Sequence, residues 1–151
     1  MAGMIRPLVL AAVLAAPIAL EAAPPVHVGF VRVIDGDTIA LRMGGDEVAV
    51  RLEGIASPER DEPGGSAATA IVRALVEGHL IACAEMDRDR YGRVIGRCAM
   101  QSGSELNALI VAAGAARDCP RYSGGRYAAF EAAAPRPSPV TGYDLPRWCV
   151  R

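Results

Sequence analysis

Apolar and polar residues alternate along 38–43, with Ile39, Leu41 and Met43 on one face and Thr38, Ala40 and Arg42 on the other. The alternation resumes along 47–53, where Val48, Val50 and Leu52 point inward and Ala49, Arg51 and Glu53 outward. A period of two is that of a half-buried strand, and Gly44-Gly45-Asp46 between the runs supplies a hairpin turn. Residues 28–34 are rich in strand formers, and 80–86 with 94–100 read as a second hairpin around 87–92. Between the hairpins the period lengthens. Ile71 and Val72 recur one turn later as Leu75 and Val76, which predicts a helix over 67–76 with Ser66 as N-cap and Gly78 past its end. A second helix is expected over 105–113, capped by Ser104 and stopped by Gly114. A short Ala-rich helix over 126–134 ends at Pro135, Pro137 and Pro139, leaving a mostly irregular tail over 135–151.

Three strands, a helix, two strands and further helix predict a mainly β fold with helices (α+β), arranged as a five-stranded OB-type Greek-key barrel with two to three helices. Such a fold does not by itself give a function.

The 151 residues suit one domain, and a hydrophobic fraction of 52% excludes disorder of the whole chain. Part of that fraction lies in residues 1–22, where one Arg precedes a short Ala/Leu run. This is the pattern of a secretory signal peptide and is too short for a comfortable membrane span. The expected divisions are therefore a signal peptide at 1–22, the barrel domain at 26–134 and a tail at 135–151, in a periplasmic or secreted protein. A net charge of −1 argues against a broadly basic nucleic-acid binder but leaves room for a local patch. Every basic residue apart from the two histidines is Arg, so only arginines at particular positions carry argument. His27 and His79 lie far apart in sequence and suggest no catalytic or metal scheme.

Four cysteines suit an exported chain, and none forms a CxxC pair that would suggest zinc. If the second hairpin turns between Arg90 and Tyr91, Cys83 and Cys98 face each other across it, at a separation a disulfide can span. Cys119 then pairs with Cys149 and ties down the tail. The alternative is four free thiols in a reducing compartment. Trp148 reads as a core plug of the pinned tail rather than a base-stacking platform.

Three segments carry candidate chemistry. In Ile34-Asp35-Gly36-Asp37-Thr38, two carboxylates flank a glycine at a strand junction; this is either a tight turn or a hard-cation site. In Val50-Arg51-Leu52-Glu53-Gly54-Ile55-Ala56-Ser57-Pro58-Glu59, Arg51 lies on the polar strand face and Glu59 in a proline-fixed loop. An Arg beside a carboxylate suits phosphodiester hydrolysis, the first neutralising a phosphate oxygen and the second taking a proton from water. In Asp89-Arg90-Tyr91-Gly92-Arg93, Arg93 offers a second guanidinium for the same phosphate. Taken singly, the three also read as a turn, a surface ion pair and a solvated loop.

Together with Leu106-Asn107, their order and spacing resemble the staphylococcal nuclease (thermonuclease) family over roughly 28–116. The resemblance implies an OB barrel that cleaves DNA and RNA phosphodiesters with Ca2+. A monomer is expected, and no segment after residue 22 is long and apolar enough to cross a membrane. By position it implies Asp37 as a metal ligand, Asp35 in support and the Ser57 carbonyl as a backbone ligand. It implies Arg51 and Arg93 as phosphate-binding arginines, and Glu59 as the carboxylate that activates or orients the attacking water. One departure matters: the family pattern Gly-Ile-Asp-x-Pro-Glu has Ala56 at its aspartate. A methyl group cannot ligate a cation, so affinity should fall with the lost charge. The competing expectation is a degenerate barrel that binds nucleic acid, sugar or a protein partner without cutting.

Overall fold

The computed structural model describes residues 22–150. The leader expected over 1–22 lies outside them, except for Ala22. The described residues form strands β1 (Val26–Val33), β2 (Thr38–Met43), β3 (Asp46–Leu52), β4 (Ile55–Ala56), β5 (Leu80–Arg88), β6 (Val94–Met100) and β7 (Arg117–Asp118). They also form helices α1 (Gly65–Val76), α2 (Leu106–Ala112), α3 (Pro120–Ser123), α4 (Ala128–Ala133) and α5 (Arg147–Val150).

Five strands close into a barrel in the order β1-β2-β3-β6-β5, with β5 returning to β1. All neighbours are antiparallel except β3 and β6, which run parallel. This is the α+β, OB-type architecture expected. Closure removes the unpaired edges that an open sheet would expose. Val31, Val33, Ile39, Leu41, Val50, Leu52, Ile81 and Val94 fill the core, and α1 and α2 add Val72, Val76, Leu106 and Ile110. Beside the barrel, β4 and β7 form a separate two-stranded sheet.

Several local expectations are corrected. Met43 is exposed, because β2 runs past the barrel rim at its end, while Ala40 on the opposite face is fully buried against the closed sheet. Ser66 does not cap α1; the helix begins at Gly65 after Gly64, which takes φ 86°, and no side chain caps it. Glycine is needed there because a Cβ on Gly65 would collide with the Glu59 carbonyl. Ser104 does not cap α2 either, since Glu105 is the N-cap residue and makes no side-chain cap bond. Apart from these corrections, the tail is mostly irregular and holds one short helical turn, α5, around Cys149.

The second hairpin has the register the cysteine spacing implies. Cys83 lies opposite Cys98, and the two are disulfide-bonded inside the core. A bulge between Glu85 and Asp87 then shifts the pairing by one residue toward the turn.

Asn107 ties the layers together. Fully buried, it accepts a hydrogen bond from the Cys98 backbone N–H at 3.2 Å and donates to the carbonyls of Glu53 at 3.0 Å and Gly96 at 3.3 Å. One side chain thus satisfies backbone groups from β6 and from the end of β3. Asn107→Ala would remove all three bonds, leaving the Gly96 carbonyl only the Glu53 backbone N–H at 2.9 Å, and is expected to cost about 2–4 kcal/mol, read as a lower midpoint in urea unfolding.

Candidate active site

The β1–β2 junction is a tight turn, in which the Asp37 N–H donates to Asp35 Oδ1 at 3.0 Å. The turn lies against the segment after β4, and a Cβ on Gly36 would collide with the Ser57 side chain. Glycine therefore lets two loops close on each other, and the closure buries Asp37.

A buried carboxylate needs partners, and Asp37 has three. Its Oδ2 accepts the Ser57 backbone N–H at 2.8 Å and faces Arg51 Nη2 at 3.0 Å. Its Oδ1 accepts the Thr38 hydroxyl at 3.1 Å. The β2–β3 register sets this arrangement, because Thr38 pairs directly with Arg51. The other arm of Arg51, Nη1, donates to the carbonyls of Leu52 at 3.0 Å and Ile55 at 3.1 Å and reaches that of Asp37 at 3.5 Å. The guanidinium is thus fixed in one plane.

Burial is nevertheless the largest influence on Asp37. It pushes the carboxyl up to about 7, with the Asp35 charge adding to the rise and Arg51 opposing it. Glu59 is exposed in the loop after Ser57, with its backbone N–H donating to Glu62 Oε2 at 2.8 Å. Its carboxyl also lies above the usual range, through partial burial and the charges of Asp35 and Glu62.

The structure thus brings Asp35, Asp37, Arg51 and Ser57 into one network, with Glu59 in its electrostatic reach. Arg93 pairs within its own hairpin. Its Nε donates to Asp89 Oδ2 at 2.7 Å, and its guanidinium carbon lies 5.7 Å from the Tyr91 ring centre. The parallel pairing of Val50 with Val94 sets the Arg93 position on the strand beside β3.

The donor set offers a cation two neighbouring carboxylates and a carbonyl. Among the described residues, no three acidic, histidine or cysteine side chains converge to cage an ion. Such a set fits a hard cation that keeps much of its own water.

Ala56 has a definite place. It is buried with Cys119, Cys149, Tyr143 and Leu145, under the disulfide that joins Cys119 to Cys149. The missing carboxylate therefore goes with an apolar lid. The lid reaches the site at two points. The Tyr143 hydroxyl donates to the Ser57 carbonyl at 3.2 Å, and burial, with the Asp37 charge, pushes that hydroxyl up to about 12, so it stays a donor. Arg117 anchors the same segment, donating to the Tyr143 carbonyl at 2.8 Å while paired with Glu131 at 2.7 Å.

The second point corrects the expectation for Trp148. It is no core plug, because 46% of it is exposed and its ring centre lies 5.7 Å from the Arg51 guanidinium carbon. Sequence reasoning missed Thr38, Tyr143 and Tyr122 as neighbours of this region. The cysteine pairing held the signal for one of these contacts, since Tyr122 follows Cys119 by three residues and Trp148 precedes Cys149.

Fold and network define an OB-type barrel with an arginine–carboxylate site at its first strand junction. The chain belongs to the staphylococcal nuclease homologue family, whose model matches residues 49–135. It is 37% identical over 91 residues to an uncharacterized endonuclease of Escherichia coli, covering 60% of each chain. It is 36% identical over 66 residues to a micrococcal nuclease of Shigella flexneri, covering 44% of this chain and 38% of the relative. It is also 32% identical over 124 residues to the succinoglycan biosynthesis protein ExoI of Rhizobium meliloti (strain 1021), covering 75% of this chain and 62% of the relative. The chain thus spans 60% of the length of the Escherichia coli endonuclease it matches.

Replacing both Cys119 and Cys149 by Ser should free the tail and remove about 3 kcal/mol of stability, the usual worth of a loop of this size. The expected readouts are a lower melting temperature and a red shift in the emission of Trp148, the chain's single tryptophan.

Proposed function

We propose that the chain is an exported nuclease that hydrolyses phosphodiester bonds in DNA and RNA with divalent-cation assistance, its cation affinity weakened by Ala56. The observation that carries this reading is the fixed Arg51 fork beside the Asp37 carboxylate, in a chain of the nuclease family. The endonuclease and micrococcal nuclease names of its relatives agree with it.

In this mechanism Arg51 binds a phosphoryl oxygen. Its carbonyl partners already hold the guanidinium in place, so little reorganisation is needed as charge builds toward the transition state. Glu59 accepts a proton from the attacking water, and its raised pKa brings it nearer the working pH than an ordinary carboxylate. Arg93 exchanges part of its contact with Asp89 for the phosphate, adding a second positive charge. Asp37, Asp35 and the Ser57 carbonyl would hold Ca2+, and the carbonyl keeps a second lone pair beside the Tyr143 hydroxyl. When bound, the ion supplies Lewis-acid charge to the phosphoryl group.

Two disulfides support an oxidising, extracytoplasmic setting and so the export reading. Among the described residues no helix is long and apolar enough to cross a membrane. The second reading, a barrel that binds without cutting, has Ala56 and its apolar cover in its favour.

Denatured DNA supplied with Ca2+ separates the two. Hydrolysis is expected with Ca2+ and should stop on addition of EDTA. Glu59→Gln and Arg93→Ala should each lower kcat/KM by about 100- to 1,000-fold with unfolding midpoints little changed. Absence of hydrolysis at every Ca2+ concentration would leave the binding reading standing.

A further inference from the structure

We propose that Trp148 is a stacking platform for one base of single-stranded nucleic acid whose adjoining phosphate lies on Arg51. The proposal rests on the nuclease reading of the Arg51 site and names how that site grips its substrate.

The starting point is a large apolar side chain that the fold leaves in water. Trp148 is the chain's single tryptophan and is 46% exposed, although the residue after it, Cys149, is fully buried in a disulfide. The barrel core does not use it. The tail is instead held by Cys149, Tyr143 and Leu145, which pack with Ala56 and Cys119. The disulfide therefore fixes the position of the indole without burying it.

That position is beside the site. The Arg51 guanidinium lies over the indole ring, its carbon 5.7 Å from the ring centre, and Arg51 also pairs with Asp37 at 3.0 Å. Tyr122 meets the indole edge-on, with ring centres 6.1 Å apart and planes at 60°. Arg51, Tyr122 and the disulfide thus hold the ring from separate elements, so little conformational freedom remains to be lost when a ligand stacks on it.

Charge complementarity selects the occupant. An apolar ring alone would suit many partners, but here it adjoins a guanidinium fixed for an anion. A nucleotide joins a flat aromatic group to a phosphodiester and matches both features at once. Stacking needs an unstacked base, which favours single strands over duplex, and it tolerates any base identity because every base has a π face.

Trp148 fluorescence reads this directly in the full, disulfide-bonded chain, with EDTA present to prevent cleavage. A single-stranded oligodeoxynucleotide should quench the emission saturably. An abasic phosphodiester chain of the same length should bind with little quenching. In Ca2+, Trp148→Ala should raise KM for single-stranded DNA by about 5- to 150-fold with kcat changed far less, and Trp148→Phe should restore most of the loss. Thermal melts of both variants check folding, and the quenching comparison on the unsubstituted chain stands even if Trp148→Ala fails to fold. Equal quenching by the abasic chain, or an unchanged KM in a folded Trp148→Ala, overturns the proposal. If base-dependent quenching occurs but no Ca2+ condition yields hydrolysis, the nuclease reading fails and the stacking site stands. If hydrolysis occurs without base-dependent quenching, the stacking site fails alone.

Discussion

One buried carboxylate organises this molecule. Asp37 sits where the barrel's first two strands meet, too deep for water to solvate its charge. Its partners are Arg51, the Ser57 backbone N–H and the Thr38 hydroxyl. Each of these depends on a larger feature. Thr38 and Arg51 are brought together by the β2–β3 register. Ser57 reaches the turn because Gly36 has no side chain to hold it off. Arg51 is held flat by carbonyls of Leu52 and Ile55, which the turn into β4 aims back at it. Barrel closure, loop approach and the orientation of the site are thus one constraint seen at three scales. The partners do not fully offset the cost of burial, so the carboxyl stays far above its ordinary pKa. Charge left in that condition suits a place where a cation or a substrate completes the balance.

Much of the barrel was legible because its signals are local. Alternation over 38–43 and 47–53 marked two strands and their hairpin, and a turn placed between Arg90 and Tyr91 set Cys83 opposite Cys98 in the second. What escaped was non-local or unusually small. The parallel pairing of β3 with β6 joins segments far apart in sequence, and no periodicity announces it. Strands β4 and β7 are two residues each and exist because the chain ends they join are already held in place. Ser66 looked like a helix cap, but the chain turns two residues earlier at Gly64, where positive φ and the close approach of Gly65 to the Glu59 carbonyl outweigh a side-chain bond.

The site was legible in a similar, partial way. Asp37, Arg51 and Ser57 meet in the fold, Ser57 through its backbone N–H, and Asp35 joins them through the turn. Arg93 stays with Asp89, since a hairpin supplies its own partner sooner than a distant site can. Trp148 was misplaced because apolarity predicts burial in general, whereas a disulfide can fix a neighbouring aromatic in water. Ala56 looked from sequence like a simple loss. In the fold it is the floor of an apolar lid that brings Tyr143 to the Ser57 carbonyl. On this side of the barrel the surroundings are built around the second disulfide.

The central claim is that the planar fork of Arg51, shared between Asp37 and a phosphate, makes this site work. Arg51→Lys tests it most directly, because lysine keeps the charge and loses the fork. The measurement is kcat/KM on single-stranded DNA in Ca2+, with urea unfolding of the same samples. A loss of about 100-fold or more in samples that remain folded is the predicted result, with the unfolding midpoint lowered by the carbonyl bonds that lysine cannot make. Hydrolysis by Arg51→Lys at the rate of the unsubstituted chain would contradict it.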